Sequence, residues 1–202
     1  MKQLAVVVLA AAIVTSACAT TVAGVAVTPS ESRTRIAHPS LPFTPTYTER
    51  WNRRNDGSSF EPCTAHIADD LEAIGIDAST MEDAAISDSP NYRGCNWELM
   101  RRPGDSPGTA LNYATQAVSN QRNLPFYKEG HDEMRWGPDQ VIDGRVFGVA
   151  DAPHDDFLVA FESGTALVIT SVKIDRRSHR SPSEERERAM KFALLAATKA
   201  PR

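Results

Sequence analysis

The chain has 202 residues, of which 41% are hydrophobic and 24% charged, with a formal net charge of −4 at pH 7. That length suits one core with accessory segments, since single domains usually run to roughly 100–200 residues, and the hydrophobic fraction excludes a multi-span membrane protein. Loss of an amino-terminal segment carrying Lys2 takes the charge from −4 to −5 (−4 − 1); with mild acidity, no basic face and no phosphate-cradling glycine pattern, nucleic acid is set aside as a partner.

Residues 1–17 read as a signal peptide. Lys2 supplies a minimal positive region, and Leu4 to Val14 form an uninterrupted apolar run of eleven residues. A transmembrane helix needs about 20 apolar residues, so this run is too short for a span, and no twin-arginine pair precedes it. Ser16 and Ala17 then lead into Cys18, the position at which bacterial lipoproteins carry an acylated cysteine, although Thr15 stands where Leu is usual. Cys18 is therefore the expected lipidation site and membrane anchor, with each buried methylene worth ~0.8 kcal/mol. The alternative is cleavage after Ala19 and release as a secreted protein, because Ala17-Cys18-Ala19 also fits the small-x-small rule. Either route places the chain outside the cytoplasm, where disulfides persist.

Residues 18–58 form the expected lipidated amino terminus and tether, with Pro29, Pro39, Pro42 and Pro45 set among Ser and Thr. Prolines at this density favour extended chain. Trp51 is expected to dock on the edge of the domain. A single domain then spans residues 59–202. Thr64 is a good N-cap, Ile67, Leu71 and Ile74 give a helical stripe, and Gly75 stands at a C-cap position, predicting a helix over 65–74. Asp69 and Asp70 fall on its wet face. Residues 77–90 are acidic and loop-like, with a helical turn expected at Met81–Ala85. Tyr92 to Met100 alternates around Cys95, Trp97 and Leu99, a strand whose inward face carries them. Cys63 and Cys95 are the cysteines left once Cys18 is assigned. They read as a disulfide closing a loop of roughly thirty residues, worth roughly 3–4 kcal/mol in the chain-entropy model.

Residues 101–108 form a loop, and Thr109 to Val118 resumes a strand pattern. Asn120 to Gly137 is irregular, and its Phe126, Tyr127 and Trp136 are expected to lie across the sheet. Gln140–Ile142 and Arg145–Phe147 flank Asp143-Gly144, the favoured pair for a two-residue primed turn. A second hairpin joins Phe157–Phe161 to Thr165–Ile174 through Glu162-Ser163-Gly164. Ser183 caps a final helix with Glu184, Glu185 and Glu187 near its first turn, where the macrodipole favours acids. Met190, Ala193, Leu194 and Ala197 form its apolar stripe, broadened by Phe192 and Leu195. The expected fold is α+β: a mostly antiparallel twisted sheet of about five or six strands, with a short N-terminal helix and a C-terminal helix packed on it.

The residues offer few signs of chemistry. His131-Asp132-Glu133 and His154-Asp155-Asp156 have the side chains of a metal site, but neither triplet places its ligands on one helical face. They read as solvated loops, and no metal or other cofactor is expected. There is no Gly-x-Ser-x-Gly elbow and no Ser-x-x-Lys, and all three cysteines are committed. Paired carboxylates for glycoside hydrolysis are set by space and leave no sequence signature. The candidate binding residues are Phe126, Tyr127, Trp136, His131 and His154. The basic tract Arg176, Arg177, His179 and Arg180 suits an anionic lipid, but Glu184, Glu185 and Glu187 follow it and favour a neutralised loop. The leading expectation is a non-enzymatic envelope lipoprotein that binds a protein, lipid or glycan. The alternative is an extracytoplasmic hydrolase drawing on Asp, Glu and His residues of the 126–156 region.

Several short motifs also point to a family. Arg54-Asn55-Asp56-Gly57, Phe60-Glu61-Pro62-Cys63, Leu71, Gly75, Arg93-Gly94-Cys95-x-Trp97 and Ile142-Asp143-Gly144-Arg145 resemble the pattern of actinobacterial surface lipoproteins, the mycobacterial and rhodococcal group built on a Cys-stapled domain of unknown function. The resemblance covers roughly residues 50–200 and the amino terminus. It implies an envelope lipoprotein with an α+β fold and no established activity. Members of that group often carry a second cysteine pair, one near the strand after the hairpin and one in the final helix. This chain has no cysteine after Cys95, so its C-terminal helix is expected to depend on packing alone.

Overall fold

Alternating apolar residues build one antiparallel sheet. The computed structural model describes residues 39–45, 47, 49–84, 91–102, 112–153, 156–175, 178 and 180–202, all within the unit His38–Arg202. The strands are β1 (Glu82–Asp83), β2 (Arg93–Glu98), β3 (Tyr113–Ser119), β4 (Arg135–Trp136), β5 (Gln140–Ile142), β6 (Arg145–Ala152), β7 (Asp156–Ser163) and β8 (Ala166–Lys173). They run in the order β1-β2-β3-β8-β7-β6, and both β4 and β5 pair with the outer side of β6. The α+β class and the antiparallel sheet agree with the sequence, but eight strands, not five or six, form among the described residues. The two strands without a sequence signal, β1 and β4, are two residues long, too short for a period of two to register. The Asp143-Gly144 turn forms with φ of 51° and 75°, as a primed hairpin turn requires.

Register divides the side chains between two faces. Cys95, Trp97, Val118, Val168, Val172, Val159, Phe157, Phe161 and Phe147 form the main core beneath α4 (Pro182–Ala197). That helix buries Glu185, Ala189, Phe192, Ala193 and Ala196. The buried stripe is therefore rotated from the expected one, with Met190, Leu194 and Ala197 only flanking it. Small residues at Ala189, Ala193 and Ala196 let the backbone lie close to the sheet while Phe192 fills the gap against Trp97, ring centroids 5.4 Å apart. Ser181, rather than Ser183, occupies the N-cap, with Pro182 in the first turn. Glu185 is buried because Arg188 at 2.6 Å and Arg180 at 3.4 Å hold it.

The expected helix over 65–74 is two short helices, α1 (Pro62–Ala65) and α2 (Ala68–Ala73), separated at His66 and Ile67. Glu61 caps α1 by accepting from the Cys63 N–H, and Pro62 occupies the first turn. Leu71 is buried, whereas Ile67 is 61% exposed. His66 instead turns inward, its Nε2 2.6 Å from Gln116 Oε1. Gln116 donates its amide to Thr170 Oγ1 at 3.1 Å and Phe192 O at 3.3 Å, so its Oε1 is the acceptor and His66 Nε2 carries the proton. His66 Nδ1 is left buried without a partner, among Phe60, Trp97 and Phe192. The helical turn expected at Met81–Ala85 falls earlier, at Ala78–Thr80, where Asp77 caps it; Ala85 lies outside the described residues.

The motifs of the amino-terminal half meet at one point. The Cys63–Cys95 disulfide joins α1 to β2. Beside it, Arg50 donates to Glu61 Oε2 at 2.8 Å and Oε1 at 3.0 Å, to Cys63 Sγ at 2.9 Å and to Gly94 O at 2.9 Å. Arg93 donates to the carbonyls of Asn55, Ser58 and Phe60 and lies 3.3 Å from Glu61 Oε2. Trp51 stacks on the Arg93 guanidinium, 3.6 Å from ring centroid to carbon. Burial pushes Arg93 down to about 10, against the attraction of Glu61. Burial also pulls on Arg50, but Glu61 and Asp83 carry it above its ordinary value. Gly94 is required here, because a Cβ would sit 2.1 Å from Gln116 O.

This cluster draws in the last part of the expected tether. Arg50, Asn55 and Ser58 are buried, and Leu41 and Phe43 pack on the core. Asn120, just beyond β3, accepts from Gly57 N–H and donates to Arg53 O and Asp56 Oδ1. The described residues from 39 to 58 are thus layered on the domain, and Trp51 is part of that layer.

Replacing Glu61 with Ala leaves two buried guanidiniums without their shared carboxylate. It should cost about 3–5 kcal/mol in urea unfolding, whereas removing Lys191 from its solvent-exposed pair with Glu187 should change stability little. Equal effects would contradict the buried cluster. The His66 imidazole, ordinarily near 6.5, is held lower first by burial and also by Lys199, with the Gln116 hydrogen bond and Asp70 opposing. The unfolded chain then takes up a proton that the folded chain refuses, so stability falls as pH drops below the unfolded value. The stability difference between the protein and His66→Gln should be constant above about pH 7 and shrink below about pH 6.5. A difference independent of pH from 5 to 8 would refute the buried neutral imidazole.

Candidate functional site

The opposite face of the sheet carries the sequence-predicted residues. A short helix, α3 (Leu124–Glu129), forms where irregular chain was expected. Its signals were present in the sequence. Asn123 accepts from the Phe126 N–H at 2.8 Å as N-cap, and Pro125 stands in the first turn. Glu162 of β7 accepts from the Leu124 N–H at 3.0 Å. Leu124 and Tyr127 close a second core over Leu158, Ala160, Leu167 and Ile169, with Met134 and Trp136 alongside. Gly148 permits this contact, since a Cβ there would lie 2.9 Å from both Leu124 Cδ1 and Lys128 Cε.

Three of the candidate binding residues come together on this face. Tyr127 and His131 have ring centroids 4.1 Å apart, and Tyr127 and Trp136 6.1 Å. His131 Nδ1 donates to Tyr127 O at 2.8 Å, and Trp136 Nε1 donates to His131 O at 3.0 Å. Tyr127 is only 4% exposed. These rings therefore act as a packed cover rather than an open cleft wall. Burial holds the Tyr127 hydroxyl above its ordinary value, with Tyr92, Glu133 and Asp156 adding to it. Phe126 points the other way, 45% exposed, with Arg122 5.6 Å from its ring. His154 lies outside the described residues.

Next to α3 runs a groove of about 400 Å3. Leu124 and Pro125 form one wall, Gly144, Arg145 and Val146 of the hairpin the other, and Asp139, Glu162 and Arg202 complete it. Val141 and Val146 are direct cross-strand partners, 69% and 44% exposed, so the apolar surface continues beyond the groove. The two carboxylates are committed: Asp139 to Lys128, and Glu162 to the start of α3. Arg145 donates to the carbonyls of Ala197, Ala200 and Pro201, each at 3.1 Å, and Arg202 donates to Asp143 O at 3.0 Å. Burial, then the charge of Arg202, hold Arg145 below its ordinary value. Sequence reasoning missed Arg145 and Arg202; the Asp143-Gly144-Arg145 motif was the available signal for the first.

Two further hollows lie elsewhere on the domain. One, of about 270 Å3, has Pro39, Leu41, Phe43 and Pro45 as walls above Arg50 and Glu61. The other, of about 370 Å3, lies among Arg102, Glu184, Glu187, Arg188 and Lys191, and its charges largely pair with one another.

The acids of the 126–156 region do not converge on a reaction centre among the described residues. Asp151 is held low: burial alone would raise it, but Arg135 at 2.5 Å and Arg186 at 2.7 Å outweigh that. Asp156 is pushed up to about 6 by burial, with Lys173 and the Phe157 backbone opposing. Its Oδ1 is buried without a partner, yet it lines none of the three hollows. No three His, Cys, Asp or Glu side chains among the described residues are grouped to hold a metal ion; His154 and Asp155 fall outside that statement. No helix among the described residues is long and apolar enough to cross a membrane.

Stapled at Cys63–Cys95, with α4 on one face and α3 on the other, this α+β domain belongs to a defined family. The chain is a member of the DUF3558 family, described as proteins of unknown function, whose model matches residues 13–196. No curated protein and no solved structure matches it.

Asp156 offers a test of the electrostatics of this face. Its folded value lies above the ordinary 3.8, so its charged form opposes folding above about pH 6, and the penalty disappears as pH falls toward 4. Asp156→Asn should therefore stabilise the protein by on the order of 2 kcal/mol at pH 8 and by almost nothing at pH 4. Destabilisation at pH 8 in chemical unfolding would mean that the carboxylate has a partner in solution.

Proposed function

We propose that the protein is an extracytoplasmic, membrane-anchored lipoprotein of the cell envelope, of the actinobacterial type its motifs resemble, and that its domain is a non-enzymatic binding module. Residues 1–17 act as the export signal and Cys18 as the acylated residue; the eleven-residue apolar run and the small residues before Cys18 support this. A disulfide buried in the frame of the domain suits an oxidising compartment.

The binding surface is the groove beside α3. The observation that carries this reading is the exposed Val141–Val146 pair opening onto it. Contiguous exposed apolar surface at a concave site marks recognition more often than chance exposure does. The nearby carboxylates serve structural partners, which favours binding over hydrolysis.

A photo-crosslinking amino acid at Val146 tests the reading in the intact chain, with one at exposed Glu187 as the control. The expected result is an adduct of defined mass from envelope material at Val146 and none at Glu187. Equal labelling at both positions, or none at Val146, would overturn the assignment of the surface.

A further inference from the structure

We propose that the groove beside α3 is a self-association surface, taken by a second copy of this chain in a two-fold pair. Val141 and Val146 of each copy pack against Pro125 and the groove wall of the other, and each Arg202 faces the other copy's Glu162. This rests on the reading of the groove as the binding surface, and it names the partner.

Three observations lead there. The first is apolar shape. Val141 and Val146 are cross-strand partners, 69% and 44% exposed, in the hairpin at the outer end of the sheet. Leu124 and Pro125 stand across the groove from Val146, and Phe126, next along α3, is 45% exposed. A ridge and a hollow therefore lie side by side on one molecule. In a two-fold contact the same patch meets itself with its halves exchanged, so each ridge finds the other copy's hollow.

The second is charge. Glu162 accepts from a backbone N–H, that of Leu124, and keeps its negative charge at the groove. Arg202 lies on the hairpin tip and donates to Asp143 O. Both line the groove, and neither forms an ion pair among the described residues. The other charges there are engaged elsewhere. Asp139 pairs with Lys128, and the Arg145 guanidinium lies on the α4 side, against the carbonyls of Ala197, Ala200 and Pro201. One carboxylate and one guanidinium in a single patch are complementary to their own copy, giving two reciprocal charge-assisted contacts about the axis.

The third follows by exclusion. A wholly anionic or wholly cationic partner meets one of these two charges as a like charge. A wholly apolar partner covers both without compensating either, which is costly. A partner with both signs beside an apolar ridge satisfies the patch, and a second copy carries them by construction.

The test uses the chain from residue 19 onward, which contains the whole unit His38–Arg202. Neither the amino-terminal apolar run nor an acyl group on Cys18 can then drive association. Sedimentation equilibrium from about 1 to about 500 μM should show a monomer–dimer equilibrium. Each substitution acts twice in a two-fold contact, so Val146→Asp and Arg202→Glu should each weaken the dimer at least about tenfold. Arg202→Glu combined with Glu162→Arg exchanges the two charges and should restore the affinity to within about threefold. All three positions are exposed, and circular dichroism checks that each variant keeps its fold. Glu187→Arg, on the exposed side of α4, should leave the equilibrium unchanged. The photo-crosslinker at Val146 should give an adduct of twice the chain mass. A monomer throughout the range, a dimer indifferent to Val146→Asp, or no rescue by the charge exchange would each overturn the proposal. So would a crosslink within one chain, which would assign the patch to the chain's own amino-terminal segment. If the protein stays monomeric while Val146 still crosslinks to another envelope component, the second copy falls and the binding surface stands. Loss of both removes the surface as well.

Discussion

A single carboxylate, Glu61, holds the amino-terminal half of this domain together. It is buried between Arg50 and Arg93, and those two guanidiniums bind almost everything that must be fixed there. Arg50 reaches the disulfide sulfur and the Gly94 carbonyl. Arg93 gathers the carbonyls of Asn55, Ser58 and Phe60. Desolvating Arg50, Arg93, Glu61 and the Asp83 that also pairs with Arg50 is expensive, and the arrangement is tolerable only because each donor finds an acceptor. The covalent bond from Cys63 to Cys95 fixes the distance between α1 and β2; the ion cluster fixes how the preceding chain lies across them. The asymmetry matters for the fold: the pair of arginines without Glu61 would be worse than no charges at all.

With that end fixed, the two faces of the sheet divide the work. One face is sealed by α4 through small residues and Phe192, with His66 and Gln116 tying the α1–α2 junction to β3 and β8. The other is covered only in part, by six residues of α3 and the strand-like segment of Trp136. Incomplete cover leaves a groove rather than a core. The sealed face thus holds most of the core, while the partly covered one leaves apolar side chains such as Val141 and Val146 at the surface.

Much of this frame was legible in the sequence. The alternation at Cys95, Trp97 and Leu99, the Asp143-Gly144 turn and the glutamates that open the last helix all carry local signals that tertiary packing does not override, although the cap of that helix fell at Ser181 and not at Ser183. What escaped has physical reasons. Arg50 and Arg93 look like surface cations until Glu61 is placed between them, and no periodicity encodes such a meeting. The α1–α2 break at His66 was hidden because Ile67, Leu71 and Ile74 satisfy a helical stripe, yet Ile67 faces water. The rotation of α4 came from Glu185, whose burial depends on Arg180 and Arg188. The candidate site was legible as a region, not as a geometry. Tyr127, His131 and Trp136 do assemble, but as a cover, and the groove lies beside them with arginines supplied by the hairpin and the last residue.

Hydrogen exchange of the full-length protein, alone and with material extracted from its own envelope, tests the central claim that the partly covered face is the working one. The account predicts added protection across Leu124–Glu129 and Gln140–Val146, with β2 unchanged because the Glu61 cluster and the disulfide already hold it. Protection gained on β2, β3 or α4 instead, or no change anywhere, would contradict it.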